Sequence, residues 1–565
     1  MLLAAVIQVV ALAGCTGESK SDPPPKPNRE PNTTVEPWIT EVTAGSGLEF
    51  QCRSFAAGEL YLPEIMGGGI AVFDANGDGR LDVLVSSGNR SLTSNRSPAG
   101  FGLFLQTGPF QFRDATAESG FGDPGYGIAL ATGDYDNDGD VDVYASNLGA
   151  DRLFRNDGQG RFTDVTTAAG ITIDQFGASA AFFDYDHDGH LDLYVTQYVA
   201  FDPKIKCADE AGRPEYCGPK SFPPLADVLL RNNGDGTFAD VSESAGIGAT
   251  RAAGLGVVCH DFNRDGWVDV YVANDAYANN LWVNQKNGTF VDEGLMQGVA
   301  YNLNGQAEAG MGVVASDFDS DGWPDLFMTH LVRESNTFYR NLGAGRGFVD
   351  DTGQMGLAAS SMTFTGFGTL AIDIDLDGDR DLAVANGRVT RGPAQAGVPE
   401  PWTHYAEENL FYLYGAGRFE LARERFAPFT TRVESSRGLA SGDFDDDGDL
   451  DFVLTSLDAP VRIYRNDVPR SGKWLAITAR DARHNRDAID AVVTVIAGDR
   501  RFTDVVSTAR GYASSSAAEC HFGLGAIETF DAVEVQWPGG ATERFPGGEP
   551  NRRLQLVRGR GEAVQ

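Results

Sequence analysis

The stretch that decides the fold begins at Phe73 and reads FDANGDGRLDVLV. A short apolar strand enters a turn of the form D-x-[DN]-x-D-G-x-x-D, and a second apolar strand leaves it. Self-similar copies of such a unit along one chain are typical of repeat architectures. Six more copies occur, reading GDYDNDGDVDVYA from Gly133, FDYDHDGHLDLYV from Phe183, HDFNRDGWVDVYV from His260, SDFDSDGWPDLFM from Ser316, IDIDLDGDRDLAV from Ile372 and GDFDDDGDLDFVL from Gly442.

The spacing of the copies indicates how many strands each one contributes. Their first aspartates stand at 74, 134, 184, 261, 317, 373 and 443, so successive copies begin 60, 50, 77, 56, 56 and 70 residues apart. Strands such as LFRNDGQGRF from Leu153 and FTDVTTAAGI from Phe162 lie between the turns, and the Asp-Gly pair in the former is a hairpin signal. These intervals suit four short strands per copy, as in the blades of a β-propeller.

The two ends of the repeat array complement each other. The last copy stops at RIYRNDV, near Val468, without the FxDVT strand that closes earlier copies. An orphan strand of that kind, WITEVTAGSGL, begins at Trp38, before the first copy. A linear solenoid would leave both partial repeats unpaired, whereas a ring pairs them and leaves only short edges. We therefore expect an all-β fold, with a closed seven-bladed β-propeller over residues 37–470.

Oxygen ligands recur at fixed places in each turn. Asp or Asn at positions one, three and five faces one side of a tight bend, Gly at position six permits the bend, position seven offers a carbonyl, and Asp at position nine closes the cage. Such a set of hard oxygens suits Ca²⁺ better than Zn²⁺ or Cu²⁺. Acidic turns that are merely solvated would not explain why the same oxygen-bearing residues recur at the same positions in seven copies. The predicted ligands are Asp74, Asn76, Asp78, Arg80, Asp82, Asp134, Asp136, Asp138, Asp140, Asp142, Asp184, Asp186, Asp188, His190, Asp192, Asp261, Asn263, Asp265, Trp267, Asp269, Asp317, Asp319, Asp321, Trp323, Asp325, Asp373, Asp375, Asp377, Asp379, Asp381, Asp443, Asp445, Asp447, Asp449 and Asp451.

The sequence thus predicts up to seven bound Ca²⁺ ions. Asn76 and Asn263 stand where other copies have a third-position carboxylate, so these two turns are expected to bind more weakly. The sites look coordinatively closed and repeat, whereas a catalytic metal needs an open position. We therefore expect the calcium to be structural, and we predict no catalytic residue.

Charge and the N-terminal residues bear on location and partners. Asp plus Glu number 80 against 45 Lys plus Arg, a formal net charge of -35 that argues against nucleic acid or an anionic membrane surface as a partner. Residues 1–14 are expected to be a signal peptide, because they form an apolar stretch too short to span a membrane. The stretch ends in Leu12-Ala13-Gly14-Cys15, which resembles the bacterial lipobox, in which the Cys is lipid-modified.

A Pro-rich stretch over residues 15–36 predicts a flexible tether. The chain is thus expected to be an exported lipoprotein of the outer membrane, periplasm or cell surface, held to the membrane by its lipid anchor only. Cys207 and Cys217 bracket a short loop, and in an exported protein they are expected to form a disulfide.

The pattern changes after about Arg470, where alternating strands begin with WLAITARDARHNRDAIDAVVTVIAGDRRFTDVVS from Trp474. We expect a small β domain over residues 471–558. The Asp-rich turns resemble the FG-GAP/VCBS repeats of integrin-α-type propellers. Residues 485–489 (NRDAI), 521–525 (HFGLG) and 533–538 resemble the ASPIC/UnbV domain, although Asp490 stands where that motif commonly has Gly. The combination is similar to the bacterial relatives of the cartilage acidic protein 1 (CRTAC) family, and this resemblance implies protein or glycan contacts outside the cytoplasm.

Two classes of function remain open from the sequence. The first is a non-enzymatic binding or adhesion module for an extracellular protein or glycan, with the insertion over residues 198–226 as its recognition loop. The second is a polysaccharide lyase or hydrolase that uses the propeller's central face. The residues favour the first, because no G-x-S-x-G, P-loop, CxxCH or HExxH motif occurs. His521 is either a catalytic base or a hydrogen-bonded structural residue, and no nucleophile motif accompanies it.

Overall fold

The computed structural model describes residues 36–56, 58–88, 100–122, 125–469 and 472–564. The predicted signal peptide, Cys15 and all of the tether except Glu36 lie outside the described residues. Among the described residues, no helix is both long and apolar enough to cross a membrane. The helices are single turns, namely the α-helices α1 (Gly294–Gln297), α2 (Ala358–Ser361) and α3 (Ala427–Thr430) and the 3-10 helices Leu62–Ile65, Pro219–Ser221 and Trp402–His404.

Short strands make up the repeat region. In chain order they are β1 (Ile39–Glu41), β2 (Ile70–Phe73), β3 (Asp82–Ser86), β4 (Phe101–Gly108), β5 (Gln111–Asp114), β6 (Tyr126–Gly133), β7 (Asp142–Leu148), β8 (Arg152–Asn156), β9 (Phe162–Asp164), β10 (Gly177–Phe183), β11 (Asp192–Gln197), β12 (Cys207–Ala208), β13 (Pro214–Glu215), β14 (Val228–Asn232), β15 (Phe238–Asp240), β16 (Gly254–His260), β17 (Asp269–Asn274), β18 (Asn280–Asn284), β19 (Phe290–Asp292), β20 (Val313–Ser316), β21 (Asp325–Met328), β22 (Thr337–Asn341), β23 (Phe348–Asp350), β24 (Gly366–Ile372), β25 (Asp381–Asn386), β26 (Glu407–Glu408), β27 (Leu410–Gly415), β28 (Arg418–Leu421), β29 (Val433–Glu434), β30 (Ser436–Gly442), β31 (Asp451–Ser456) and β32 (Arg462–Asn466).

In the described chain most of these strands form one antiparallel sheet per repeat, while β12-β13 and β26-β29 are separate two-stranded sheets. The sheets are sheet 1 (β2-β3-β4-β5), sheet 2 (β6-β7-β8-β9), sheet 3 (β10-β11-β14-β15), sheet 4 (β16-β17-β18-β19), sheet 5 (β20-β21-β22-β23), sheet 6 (β24-β25-β27-β28) and sheet 7 (β30-β31-β32-β1). Their first strands contact one another in a closed cycle that runs from β2 through β6, β10, β16, β20 and β24 to β30 and back to β2. The predicted all-β fold with propeller-type repeats is confirmed.

The orphan N-terminal strand completes the last sheet. In β1, Ile39 pairs with Asn466 of β32, and the strands run antiparallel. Ile39 is buried among Phe411, Phe426 and Tyr464. Burial of a large aliphatic side chain among aromatic rings stabilises the fold by about 1.5–3 kcal/mol, which helps so short a strand to hold the seam.

The C-terminal residues form two further sheets. Their strands are β33 (Lys473–Asp481), β34 (Arg486–Asp487), β35 (Val492–Ala497), β36 (Arg500–Val505), β37 (Ser514–Ser515), β38 (Cys520–Gly525), β39 (Phe530–Gln536), β40 (Thr542–Gly548), β41 (Arg552–Val557) and β42 (Glu562–Ala563). One sheet orders β34-β33-β38, with β41 parallel to β33, and the other orders β36-β35-β39-β40-β42. We call this part, from β33 to β42, the C-terminal module. From Pro37 onward the described residues form one compact unit, so the module does not separate from the ring.

A hairpin of the module lies along the axis of the ring. This segment, residues 508–516, is here called the channel hairpin, and its strand β37 pairs in parallel with β2 of sheet 1. The carbonyl of Ala513 accepts the N–H groups of Ile70 (3.3 Å) and Leu130 (3.4 Å), which belong to the first strands of sheets 1 and 2. Tyr512 is fully buried, and its hydroxyl donates to the Met66 carbonyl at 2.6 Å. The central channel is therefore filled by the protein's own chain.

The long insertion after β11 covers the end of the channel that lies opposite the Asp-rich turns. Cys207 and Cys217 form a disulfide in it, with a Cα–Cα distance of 5.2 Å. Its Tyr216 and Phe222 are buried in one apolar cluster with Tyr512, so aromatic packing directs them inward. Residues 203–214 and 218–221 remain largely solvent-facing, so only these parts of the insertion can serve as a recognition loop.

Candidate metal centres

Each Asp-rich turn joins the first strand of its sheet to the second, so all of them lie at one end of the ring. We name them loop 1 to loop 7, in the order 74–82, 134–142, 184–192, 261–269, 317–325, 373–381 and 443–451. Position four has a left-handed backbone in every loop, with φ between 56° and 72°. Asn137 and Asp446 tolerate this conformation well, whereas Leu376 adopts it at a cost of order 1 kcal/mol.

The same backbone hydrogen bonds shape every loop. The N–H of the position-six glycine donates to the carboxylate of the first Asp at 2.7–3.1 Å in each. The N–H of position seven donates to Oδ1 of position five at 2.8–3.2 Å. Each carboxylate therefore anchors the backbone with part of its lone pairs and leaves the rest available to a ligand.

The ninth residue ties the loop to the sheet. In loop 2, the two carboxylate oxygens of Asp142 accept the N–H groups of Tyr135 (3.1 Å) and Asn156 (2.8 Å). The equivalent pair of bonds occurs in every loop, for example at Asp381 of loop 6. Position nine is thus a structural acceptor as well as a candidate ligand.

Carboxylate oxygens gather within 4.8 Å of one another in five loops. In loops 2, 3, 6 and 7 the gathered residues are those at positions one, three and nine, whereas in loop 5 they are those at positions one, three and five. The gathered sets are Asp134, Asp136 and Asp142; Asp184, Asp186 and Asp192; Asp317, Asp319 and Asp321; Asp373, Asp375 and Asp381; and Asp443, Asp445 and Asp451. These clusters could hold a metal ion. In loops 1 and 4 of the described chain no such trio forms, because Asn76 and Asn263 occupy position three.

Some buried carboxylate oxygens in the loops have no hydrogen-bond partner, and they indicate whether a cation fits there. Oδ1 of Asp136, Oδ1 of Asp184 and Oδ1 of Asp317 are buried and have no such partner among the described residues. A buried polar atom that is left unsatisfied is costly, so each calls for a ligand. Because the available donors are all hard oxygens, the residues fit a hard divalent cation.

Electrostatics give the same result. Burial, reinforced by neighbouring carboxylates, raises the pKa of Asp134 and of Asp317 to about 7 in the metal-free protein. Burial also raises the pKa of Asp142 well above its usual value. Without a cation, such carboxylates relieve their repulsion by holding protons. A divalent ion would take the place of those protons.

Three of the position-seven residues, His190, Trp267 and Trp323, use their side chains in contacts with a neighbouring loop. The ring of Trp267 stacks on His187 of the preceding loop at 4.0 Å between centroids, and Arg264 lies 4.7 Å above the Trp323 ring. His190 Nδ1 lies 3.2 Å from the side-chain amide of Asn137. In loops 3, 4 and 5 the side chain at position seven therefore contacts a neighbouring loop, and the carbonyl of that residue stays the predicted ligand.

An amide side chain that sequence reasoning missed links neighbouring loops. Asn232, at the end of β14, donates from Nδ2 to the carbonyls of Tyr135 in loop 2 (2.8 Å) and Leu191 in loop 3 (3.0 Å). Its own N–H donates to Asp192 at 2.8 Å. Residues in the same place join adjacent loops elsewhere, namely Gln106, Asn156, Asn284, Asn341 and Asn466. The sequence signal for this link was an Asn that recurs at the end of the third strand of a repeat. A single Asn at such a place is typical of a turn, so the link was not recognised.

Two cavities separate the loops from the C-terminal module. One, of about 420 Å³, lies between loops 4 and 5 and strands β35, β36 and β39, and the other, of about 690 Å³, lies beside loops 1, 2 and 7. His521 lines neither of them. It is buried, its Nε2 lies 2.9 Å from the Gly448 carbonyl of loop 7, and burial lowers its pKa to about 4.

Comparison with known proteins adds family relationships. The FG-GAP-like repeat matches residues 74–145, 134–195, 223–272, 261–328 and 317–384, about half of the chain, and ASPIC and UnbV matches residues 481–563. Cartilage acidic protein 1 of Mus musculus is 26% identical over 356 residues, 60% of this chain and 51% of that protein. The Homo sapiens protein is 25% identical over 331 residues, 57% of this chain and 47% of that protein. The chain thus spans about half the length of these curated relatives.

Solved structures resemble the fold loosely. An Agrocybe aegerita lectin that recognises non-reducing terminal N-acetylglucosamine aligns with a TM-score of 0.36 and 16% identity, covering 70% of this chain and 86% of that one. Rhamnogalacturonan lyase YesW aligns with a TM-score of 0.36 and 14% identity, covering 72% of each chain. At such TM-scores these likenesses carry no information about ligands.

Proposed function

The chain belongs to the FG-GAP-like repeat family and carries a C-terminal ASPIC/UnbV module, and on that premise we propose that it is an exported calcium-binding propeller that acts as a binding or adhesion module for an extracellular protein or glycan. Calcium is the cation that the loops suit best, because every donor is a carboxylate, amide or carbonyl oxygen. The ions are structural, since the carboxylate clusters recur in five loops around the ring and each lies within the turn of its own loop.

One observation favours binding over catalysis at the axis. The channel hairpin fills the central channel, and Tyr512 is fully buried there. Arg437, a cation that a lyase could have used at the centre, is also fully buried, and it donates to the Ile65 (2.7 Å) and Gly387 (3.1 Å) carbonyls. A polysaccharide lyase or hydrolase that uses the central face would need the space that the channel hairpin occupies. We therefore place the binding site for the protein or glycan on the outer surfaces.

The cleft of about 420 Å³ is the place we favour for a glycan. One wall carries Arg264 of loop 4, and among the described residues no carboxylate oxygen lies within 4.0 Å of its guanidinium. The other wall carries Thr494, Thr503 and Gln536, which supply hydroxyl and amide groups. Guanidinium groups bind carboxylates in a bidentate manner, so Arg264 suits the uronate group of a saccharide. Asp261, Asp317 and Asp321 also line the cleft, and they are predicted ligands whose charge a bound cation would neutralise.

Glycan binding tests this proposal. The calcium-loaded chain is applied to immobilised uronate-containing glycans and to their neutral parents, and its retention is measured. We expect the uronates to be bound, and Arg264→Ala to weaken binding about tenfold, because a hydrogen bond to a charged group contributes about 1.5–3 kcal/mol. Arg113→Ala, at an exposed arginine of β5, is the matched control. Release of unsaturated uronate products from the same polymers would instead support the lyase.

The location is proposed on the N-terminal residues. Cys15 is the lipidation site of an exported lipoprotein, and the Cys207–Cys217 disulfide is in keeping with an oxidising compartment. Membrane fractionation of wild type and Cys15→Ser tests this: wild type is expected with the membranes and the variant in the soluble fraction. A wild-type chain whose mass carries no lipid would contradict the anchor.

A further inference from the structure

NRDAI (residues 485–489), the first segment of the module that resembles the ASPIC/UnbV motif, contacts loops 2 and 3. Asn485 donates from Nδ2 to the Asp138 carbonyl of loop 2 at 2.8 Å. Arg486, almost completely buried, lies 3.4 Å from the Gly189 carbonyl and 3.8 Å from the Asp184 carboxylate of loop 3. These partners are position-five and position-six carbonyls and the carboxylate of a first Asp.

The residue after this segment strengthens the contact with loop 3. Asp490 has a φ of 71°, the left-handed conformation that glycine adopts most easily. Its carboxylate accepts the N–H of Asp184 at 2.9 Å, a bond that glycine could not make. The departure of this chain from the family motif therefore adds a contact to the first residue of a metal loop.

The second segment, HFGLG (residues 521–525), contacts loops 6 and 7. His521 contacts the Gly448 carbonyl of loop 7 at 2.9 Å, and the N–H of Gly525 donates to the Leu376 carbonyl of loop 6 at 2.9 Å. A Cβ on Gly523 would lie 1.9 Å from an Asp373 carboxylate oxygen, so only glycine lets the strand come this close.

An arginine of β41 also contacts loop 7. Nη2 of Arg553 lies 2.8 Å from the Asp443 carboxylate. In the described chain, the hydrogen bonds between module and loops go to loops 2, 3, 6 and 7. Loops 1, 4 and 5 receive none there, so they provide an internal reference.

The channel hairpin lies between the two segments in the sequence, at residues 508–516. In each contacted loop the clustered carboxylates can face a cation, while the module bonds to main-chain groups in all four loops and lies against one oxygen of the first Asp in loops 3 and 7. Loss of the cation leaves the clustered carboxylates to repel one another, and the main-chain groups lose their fixed positions. We infer that the C-terminal module is a calcium-dependent clamp, which binds the cation-loaded conformation of loops 2, 3, 6 and 7 and thereby holds the channel hairpin in the ring.

This role rests on calcium loading of the loops but not on glycan binding. By linkage, a module that binds loaded loops must raise their calcium affinity by the same factor. Hydrogen exchange of the full chain is measured for each peptide across a calcium titration. It reports both the effect of calcium on the channel hairpin and the effect of the module on the calcium affinity of the loops. In wild type, chelation is expected to increase exchange in the channel hairpin as well as in the contacted loops.

Asn485→Gly removes the amide without straining a residue whose φ is 54°. We expect it to raise the calcium concentration that half-protects loop 2 about fivefold or more, while that of loop 5, which has a carboxylate trio but, in the described chain, no hydrogen bond to the module, stays unchanged. Asn551→Gly is the matched control, because Asn551 has a φ of 60° and bonds to Trp474 within the module. Equal hairpin protection with and without calcium, or an unchanged loop 2 midpoint, would overturn the clamp. Loops that gain no protection from calcium in wild type would overturn the calcium assignment itself.

Discussion

At the scale of single residues, the first Asp of each loop carries the metal chemistry. Asp373 is almost completely buried, and burial raises its pKa to about 7 in the metal-free protein. Asp373→Asn imitates the protonated form, so in EDTA we expect an unchanged or slightly higher melting temperature. In calcium at about 100 times Kd, loss of one site should lower the free energy of unfolding by about 2.7 kcal/mol.

Calorimetry in EDTA and in calcium measures the melting temperature of Asp373→Asn in both buffers, and we expect it to fall only in calcium. Glu210→Gln, at an exposed acid of the insertion, is the control and should change neither melting temperature. A variant that loses as much stability in EDTA as in calcium would show that Asp373 acts through packing and not through a cation.

The pH dependence follows from the same aspartates. Burial raises the pKa of Asp184 to about 7 and that of Asp325 to about 8, whereas an unfolded Asp titrates near 3.8. Between these values the folded, metal-free protein binds more protons than the unfolded chain, so its free energy of unfolding falls as pH rises. In calcium, protons compete with the ion, so the calcium-induced rise in melting temperature should grow from pH 5 to pH 8. A rise that is constant over this range would contradict the prediction.

Residue spacing predicted the candidate ligand positions, because alternation and the glycine bend are local properties of the chain. It placed oxygen ligands at positions one, three, five, seven and nine of every loop, and the trio of loop 2 lies among these positions. It did not predict which three of them gather, with position nine in loop 2 and position five in loop 5. The alternative depends on small rotations of neighbouring carboxylates, which no sequence pattern records.

At the scale of elements, an amide side chain near the end of the third strand joins one sheet to the next in six of the seven described sheets. Asn232 is buried, and Asn232→Ala leaves the carbonyls of Tyr135 and Leu191 without its amide. We expect the free energy of unfolding to fall by roughly 2–4 kcal/mol, since an unsatisfied buried group costs about 1–3 kcal/mol. Urea denaturation measures it. Asn233→Ala, at the exposed neighbour, should stay within about 0.5 kcal/mol; equal losses would refute the link.

Elements with local signals were predictable, and their long-range partners were only partly so. The strand at Trp38 and the truncated last repeat share one pattern, so their pairing followed from a count of strands. The insertion carries no such pattern. Its Tyr216 and Phe222 find their partners across the ring, and a sequence shows only that they are aromatic.

At the scale of the whole molecule, the ring and the module are held together through the axis. Alternating strands after Arg470 predicted a small β domain, but nothing in them indicated that residues 508–516 enter the channel. Gly511 and the serines that follow are small, and Tyr512 is the one aromatic residue among them. They fit in the channel because of its width, which the sequence of the module does not show. The contact exists because two folded parts meet, and neither part encodes it alone.

Tyr512 is the residue on which this union can be tested. Its ring lies 5.0 Å from that of Phe367, and its hydroxyl donates to the Met66 carbonyl at 2.6 Å. Tyr512→Ala should lower the free energy of unfolding by about 3–5 kcal/mol through the cavity it leaves. Calorimetry in calcium should then resolve the module's transition from that of the ring, whereas we expect wild type to unfold in one transition. Tyr512→Phe keeps the ring and should cost only about 1 kcal/mol. If the alanine variant still melts in a single transition with the wild-type midpoint, the channel hairpin does not hold module and ring together.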